Sequence, residues 1–585
     1  MHLNRLKIKN FRNLNDLDIN FNQAIDQEVF HTHAVIGHNG TGKSNLVEAL
    51  ILIFRDLDHY NPSSLDYELT YTIRDHAVSL KGRTGQQPKV NIDGRDESAK
   101  LIHDNPNTYL PSHVFTYYSG KNHRIEELFT LHIEQFNKKI QTLPREAVPA
   151  HFFENFSGTP DQAEAIADQK EKAKKTQNRL GENLMRRLFF CREGHSQLVM
   201  LACLLSKDPI FTRLLQDLNI VELDSALFVL KRPHRLKTPS QKNLLEGDNR
   251  FWYAGGSVVE QFLDKLWQVA VAPIDHEDNK QIDFRGRSEK QDLLYLFVPD
   301  KEQLQELGDL VGPPDIFFKY AEGAYIGDLI EEVRIFVKHK DVNNEISFDQ
   351  LSEGELQLLT VLGLMRITSQ DHCLFLLDEP DTHLNPIWKL RYFDDIEMVI
   401  RQDEGKTLAG ESHIIITTHD PMMIGSLKKE QVRILKSYKG KTHAEIPEED
   451  PRGMGVSGLL KSEMFGLPST LDMPTRRELH KRNELLAKKA NTGLSKNEEK
   501  ELKALKTHLD DLGFSKEYRD PLYQLFIEKL FEVKSLPLEK VLTPEELNEQ
   551  EILAQKIITQ LVKDERSGEL SSLARELKIQ MRGDK

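Results

Sequence analysis

Cysteine is scarce in this sequence: of 585 residues only Cys191, Cys203 and Cys373 carry a thiol, and none stands at a metal-ligand spacing. A reducing cytoplasm is the expected setting. Long apolar runs are missing too, since none approaches the ~20 residues that cross a bilayer, and no signal peptide is expected at the N-terminus. Positive charge is not in excess: 78 Lys and Arg against 92 Asp and Glu leave −14. Any contact with nucleic acid must therefore be a local patch. No apolar heptad is sustained over several turns, which argues against long coiled-coil arms. Cutting chemistry has no recognisable carrier either, because the chain holds no Asp-x-Asp after His419, no His-Asn-His pattern and no Cys-x-x-Cys.

What is present is a set of phosphate-site motifs. The apolar strand Ala34-Val35-Ile36 runs into Gly37-His38-Asn39-Gly40-Thr41-Gly42-Lys43-Ser44, a full G-x-x-x-x-G-K-S match in a strand, loop and helix setting. Gly37, Gly40 and Gly42 let successive N–H groups of the loop, Asn39 among them, turn inward around phosphates. Lys43 reaches the β and γ oxygens of ATP, and the Ser44 hydroxyl suits Mg²⁺. The following helix is apolar at Leu46, Val47, Leu50, Ile51 and Phe54.

Two further motifs lie together far downstream. Leu351-Ser352-Glu353-Gly354-Glu355 is a Ser-x-x-Glu capping box before an apolar run, so it opens a buried helix whose N-terminus attracts an anion, with Gly354 allowing close approach. Taken alone, that box is an ordinary helix start. Cys373 to Leu377, ending in Asp378-Glu379-Pro380, reads as a central parallel strand that delivers two carboxylates to its C-terminal edge, where metal and water belong. Ile414 to Thr418 is a second such strand and delivers His419. The Ser352 and Asp378 motifs cannot both serve one ATP in one molecule, which points to a dimer.

Around these motifs the chain divides into 1–120, an insertion at 121–330, 331–440 and a tail at 441–585, within the roughly two to four domains its length allows. Leu3 to Phe21 reads as two antiparallel strands, Tyr67 to Ile92 as an antiparallel meander and His113 to Tyr118 as a buried strand. The insertion is expected to be mainly helical, from Ile125 to Phe136, Asp161 to Phe190 and His195 to Ser206. A strand at Val333 to Val337 and a turn at Asn343-Asn344 follow it. Its basic clusters, at Lys170 to Lys175, at Arg186, Arg187 and Arg192, and at Lys231 to Lys237, read as a nucleic-acid patch or as ordinary solvated surface. Asp56 and Asp58 form an Asp-x-Asp pair, read as a charged helix end because no third carboxylate is near in sequence. In the tail, Leu479 to Ala490, Glu498 to Leu512 and Leu522 to Phe531 are expected helices of a docking region, and Glu448-Glu449-Asp450 is a loop.

The order of lysine loop, Ser-Glu-Gly-Glu helix, Asp-Glu strand end and strand-borne histidine resembles the ABC-type ATPase head shared by SMC proteins, RecF and the OLD-family nucleases. The wording Asp378-Glu379-Pro380-Asp381-Thr382-His383-Leu384-Asn385-Pro386 is the OLD-like version. More narrowly, Phe190 to Leu198 and Gly453 to Ser457 resemble the PtuA ATPases of Septu and retron-associated antiphage systems. The resemblance implies an α/β fold, a P-loop parallel sheet with an antiparallel side sheet. It implies Asp378 and Ser44 for Mg²⁺, Glu379 for the attacking water, His419 for the γ-phosphate, and Ser352 with Gly354 for a partner subunit's γ-phosphate. It also implies a homodimer or higher oligomer, a separate PtuB-like HNH nuclease, and a reverse transcriptase with its RNA or DNA as a further partner. The glutamine that senses Mg²⁺ in ABC-type sites has no counterpart after Tyr118. A transporter subunit is disfavoured by the distance between Lys43 and Ser352, whereas a RecF- or SMC-like clamp in which ATP is mainly structural stays open.

Overall fold

A computed structural model describes residues 1–22, 31–120, 123–141, 187–192, 194–206, 208–240, 243–244, 247–256, 258–281, 288–340, 345–368, 372–400, 412–512, 548–549, 552–557 and 559. The expected helix over 161–186, the basic residues Lys170 to Lys175 and Arg186, the turn at Asn343-Asn344 and the helix Leu522 to Phe531 lie outside them.

The core begins with the P-loop helix α1 (Lys43–Asp58), which is apolar on nearly every side because it is covered by two sheets. On one side lies an antiparallel sheet of β1 (His2–Phe11), β2 (Leu14–Asn20), β4 (Tyr67–Ile73), β5 (His76–Gly82), β6 (Lys89–Ile92) and β7 (Arg95–Glu97), in the order β2-β1-β4-β5-β6-β7. Its strands alternate, so Leu3, Leu6 and Ile8 are buried while Arg5 and Lys7 on the outer face pair with Asp18.

On the other side lies a seven-stranded sheet in the order β18-β17-β3-β16-β15-β8-β9, where β3 is His31–Ile36, β8 Val114–Tyr118, β9 Leu188–Phe190, β15 Leu374–Asp378, β16 His413–Thr417, β17 Val432–Tyr438 and β18 Lys441–Glu445. From β17 to β9 every pair is parallel. The central strands β15 and β16 are buried at every residue, as a sheet covered on both faces requires. Residues from both sheets and from α1 form one apolar cluster, including Leu6, Leu69, Leu50, Val35 and Leu376. The α/β fold class, with its P-loop parallel sheet and antiparallel side sheet, is thus the one the sequence leads to.

The insertion differs from expectation. Its helices Thr130–Gln141 and His195–Leu205 are present. Between 220 and 347, however, runs a third sheet, antiparallel, in the order β11-β12-β10-β13-β14: β10 is Ile220–Lys231, β11 Val271–Gln281, β12 Ser288–Val298, β13 Ile330–His339 and β14 Glu345–Ser347. Strand β11 carries Asp275-His276-Glu277-Asp278-Asn279 and has no alternating pattern of its own. It exists because its register places it along the apolar β12, with Ile274 opposite Tyr295 and Asp275 opposite Leu294. Leu188–Phe190, expected to end a helix, instead extends the parallel sheet beside β8.

The chain forms two compact units, 1–453 and 454–585. Because β18 pairs with β17, residues 441–445 belong to the sheet of the first unit and not to the tail. In the second unit the helices Met473–Asn491 and Lys496–Asp511 pack on one another, near the expected positions.

The helix Glu353–Thr368 crosses the helix His195–Leu205 at Gly363, where an added Cβ would lie 2.5 Å from Val199 Cγ1 and 3.0 Å from Cys203 Sγ. Both neighbours are buried. Gly363→Val should therefore lower stability by about 1 to 3 kcal/mol, overpacking outweighing the gain of a few tenths in helix propensity. Thermal unfolding of the nucleotide-free chain checks this.

Candidate functional site

The loop between β3 and α1 has the backbone of a phosphate cradle. Gly37, Gly40 and Gly42 all have positive φ, at 155°, 85° and 104°. Gly37 has no room for a side chain, because a Cβ would come within 2.6 Å of the Leu435 carbonyl on the neighbouring strand. His38, Asn39 and Gly40 form the exposed crown of the loop, and the Thr41 hydroxyl closes it by donating to the His38 carbonyl at 2.9 Å. Lys43 is buried and its ammonium donates to the Gly37 carbonyl at 2.8 Å. Burial pushes that ammonium below its usual pKa, against the pull of Glu379, Asp378 and Asp381.

Strands β15 and β16 end beside this loop. Asp378, the last residue of β15, is fully buried and accepts a hydrogen bond from the Thr417 hydroxyl through Oδ1. Its Oδ2 is buried without a hydrogen-bond partner. Burial raises its pKa and the charge on Glu379 adds to this, while the hydroxyls of Thr417 and Ser44 and the charge on Lys43 oppose it. An orphaned carboxylate oxygen beside a serine hydroxyl is an all-oxygen donor set that fits Mg²⁺.

Glu379 takes up a left-handed backbone conformation, φ 50°, at the turn out of the strand. Its N–H donates to the Thr417 carbonyl at 2.9 Å, and its Oε1 lies 3.2 Å from His419 Nδ1. The strand ends thus bring Lys43, Ser44, Asp378, Glu379 and His419 together.

The Ser352 helix start forms the reciprocal capping box: Ser352 N–H donates to Glu355 Oε2 at 2.8 Å and Glu355 N–H to Ser352 Oγ at 3.3 Å. Ser352 is exposed and Gly354 buried. Gly354 is small because it packs on its own chain, where a Cβ would run into the His383 carbonyl. Gln357 Nε2 donates to the Pro380 carbonyl, so this helix is joined directly to the loop after Glu379.

Three functional neighbours escaped the sequence reading. Asp381 is buried and accepts from the Thr418 hydroxyl at 3.1 Å on both oxygens, and burial raises its pKa. The Thr417-Thr418 pair before His419 was the available signal, since each hydroxyl holds one carboxylate. Asn13, in the β1–β2 turn, donates to the Gly40 carbonyl and accepts from Asn45 Nδ2. Ser119, after β8, donates its N–H to the Asp378 carbonyl at 3.3 Å and accepts from the Thr382 hydroxyl at 3.0 Å. It stands where the sequence offered no glutamine.

Among the described residues the basic clusters are largely paired. Lys231 pairs with Asp328 and Glu331, Arg232 with Asp292, Lys237 with Glu289, Arg192 with Glu126 and Arg187 with Asp58. Such pairing supports the ordinary-surface reading at these positions. Among the described residues no helix is long and apolar enough to cross a membrane.

Comparison with known proteins agrees with this geometry. Residues 1–145 match the family model described as "AAA ATPase domain", and residues 233–424 the one described as "AAA domain, putative AbiEii toxin, Type IV TA system". The chain is 29% identical over 108 residues to the DNA replication and repair protein RecF of Oceanobacillus iheyensis, a stretch covering 18% of this chain and 27% of RecF. It is 29% identical over 128 residues to the DNA double-strand break repair Rad50 ATPase of Archaeoglobus fulgidus, covering 20% of this chain and 13% of Rad50. The match thus spans about a quarter or less of either relative. Similar solved structures include the SMC head domain from Thermotoga maritima, at 13% identity and TM-score 0.29 over 77% of this chain and all of that one. Another is the recombination mediator protein RecF, at 14% identity and TM-score 0.28 over 76% and 98%. At such scores the fold rests on the strand order itself.

Two stability measurements test the local geometry. Glu379→Gly should raise the stability of the nucleotide-free chain by about 1 kcal/mol, because it releases a left-handed non-glycine backbone. Gly354→Asp should lower it by about 1 to 3 kcal/mol through the clash at His383. A denaturant titration reads both.

Proposed function

We propose that this chain, an ATP-binding P-loop ATPase, hydrolyses ATP at sites completed by dimerisation and uses that cycle to regulate a separate HNH-type nuclease in antiphage defence. The observation that carries the hydrolytic part is the meeting of Lys43, Ser44, Asp378, Glu379 and His419 at the ends of adjoining strands. Lys43 would leave the Gly37 carbonyl for the β and γ oxygens. Mg²⁺, held by Ser44 and Asp378 Oδ2, would offset phosphate charge as the terminal phosphoryl group leaves. Glu379 would orient the attacking water and take its proton, and His419, within reach of Glu379, would steady that carboxylate and meet the γ-phosphate.

Dimerisation is supported by the exposed N-terminus at Ser352 and by Ile387 and Leu390. These are 66% and 48% exposed, directly after the Asp381 to Asn385 loop. Two such apolar side chains beside a phosphate site suit burial against a second copy. The defence role rests on the resemblance to PtuA ATPases, on the toxin–antitoxin wording of the second matching family, and on a sequence without nuclease motifs. The reverse-transcriptase partner rests on the resemblance alone. The similarity to two proteins named for DNA repair, RecF and the Rad50 ATPase, favours a second reading, a RecF- or SMC-like nucleic-acid clamp in which ATP is mainly structural.

Turnover separates the two. Glu379→Gln should still bind ATP, hydrolyse it about a hundredfold more slowly or worse, and shift toward a dimer in sedimentation. A wild-type chain that binds ATP without turning it over supports the clamp, and unchanged turnover in the variant removes Glu379 from its role.

A further inference from the structure

The Asp-x-Asp pair at the end of α1 divides in the fold. Asp56 is structural: its carboxylate accepts from Arg55 at 2.8 Å and from the Ser64 N–H at 2.8 Å. Asp58 turns the other way and meets two histidines, one next to it in sequence and one 74 residues on. His59 Nε2 lies 2.8 Å from His132 Nδ1, and His132 Nε2 lies 3.0 Å from Asp58 Oδ2. One ligand atom from each of Asp58, His59 and His132 can be chosen so that all three lie within 4.8 Å of one another.

We propose that Asp58, His59 and His132 form a zinc site that fastens the end of the P-loop helix to the helix Thr130–Gln141. Two imidazole nitrogens and one carboxylate oxygen are a borderline donor set, suited to Zn²⁺ and poorly matched to Mg²⁺ or Ca²⁺, which prefer all-oxygen shells. Bonds of about 2.0–2.1 Å in a tetrahedron place ligand atoms roughly 3.3 Å apart, so with one nitrogen of His132 on the metal the three ligand atoms, now within 4.8 Å of one another, draw together by side-chain rotation. A hydrogen-bonded chain of the three groups is the alternative, and three features favour the metal.

The location attracts a cation, since α1 ends at Asp58 and its C-terminal carbonyls present the negative end of the helix dipole. The carboxylate is also braced in the manner of a metal ligand, because its other oxygen accepts from Arg187 Nε at 2.9 Å. Arg187 in turn donates to Asn107 Oδ1 at 2.8 Å and to the Pro111 carbonyl. Finally, His132 is buried at 6% exposure while Asp58 is reached by solvent at 18%, so a water can complete the tetrahedron.

The site is independent of the ATPase reading and is tested without nucleotide. The full chain is stripped with chelator, returned to buffer with excess Mg²⁺, and titrated with Zn²⁺ by calorimetry and with Co²⁺ by visible absorption. We expect one Zn²⁺ per chain, a tetrahedral Co²⁺ band that saturates at one equivalent, and a melting temperature that rises on zinc addition. His59→Gln and His132→Gln should each weaken zinc binding about 10- to 100-fold and abolish the band. Should either variant fail to fold, the cobalt spectrum of the unaltered chain decides alone. No stoichiometric uptake, or uptake unchanged in both variants, overturns the proposal and leaves a hydrogen-bonded Asp-His-His chain.

Discussion

A carboxylate oxygen buried without a partner is costly, on the order of a few kcal/mol, and Asp378 Oδ2 is such an oxygen. The surrounding structure is arranged so that the cost can be carried. The strand that bears Asp378 is buried at every position and flanked by two parallel neighbours, so the residue cannot swing out to water. Lys43 supplies an opposite charge, Thr417 satisfies the other oxygen, and Ser44 stands beside it at the start of α1. Burial pushes Lys43 below and Asp378 above their usual pKa values, so both charges are disfavoured by their surroundings. A polyanion with a divalent cation complements both groups.

The same constraint explains why the helix α1 is enclosed between two sheets. Its first turn must hold a phosphate loop rigid, and at Gly37 the loop lies so close to β17 that any side chain would run into the Leu435 carbonyl. Asn13, reaching from the side sheet to the Gly40 carbonyl and Asn45, ties the loop to the second layer. The side sheet is therefore part of the site and not only a cover for apolar surface.

Much of this was legible in the sequence, and the reasons are local. The glycine spacing between Ile36 and Lys43, the unbroken apolar runs of β15 and β16, and the Ser352 to Glu355 box each encode their geometry within a few residues. What stayed hidden was non-local. Strand β11 has a polar sequence and owes its conformation to β12, so no pattern within it could announce a sheet. Asp381 was given no role of its own, because its partner Thr418 is 37 positions away. Asp58 was read as a charged helix end since the histidine that meets it arrives from another helix. Gly354 was read as a phosphate contact, yet its smallness is already required by the His383 backbone, and any role toward a partner subunit is added to that one.

That last contact bears on how the site could speak to the rest of the chain. The helix Glu353–Thr368 is joined at its first turns to the loop after Glu379, through Gly354 on His383 and Gln357 on Pro380. Farther along, it packs through Gly363 on the helix His195–Leu205, and its Arg366 bonds Asp208 at 2.8 Å. Beyond that contact the chain leads into β10 and the third sheet. A close-packed helix transmits displacement instead of absorbing it, so a shift of the Pro380 to His383 loop has a direct mechanical route to the insertion. The residues along it are small or hydrogen-bonded, and neither kind yields without breaking a contact.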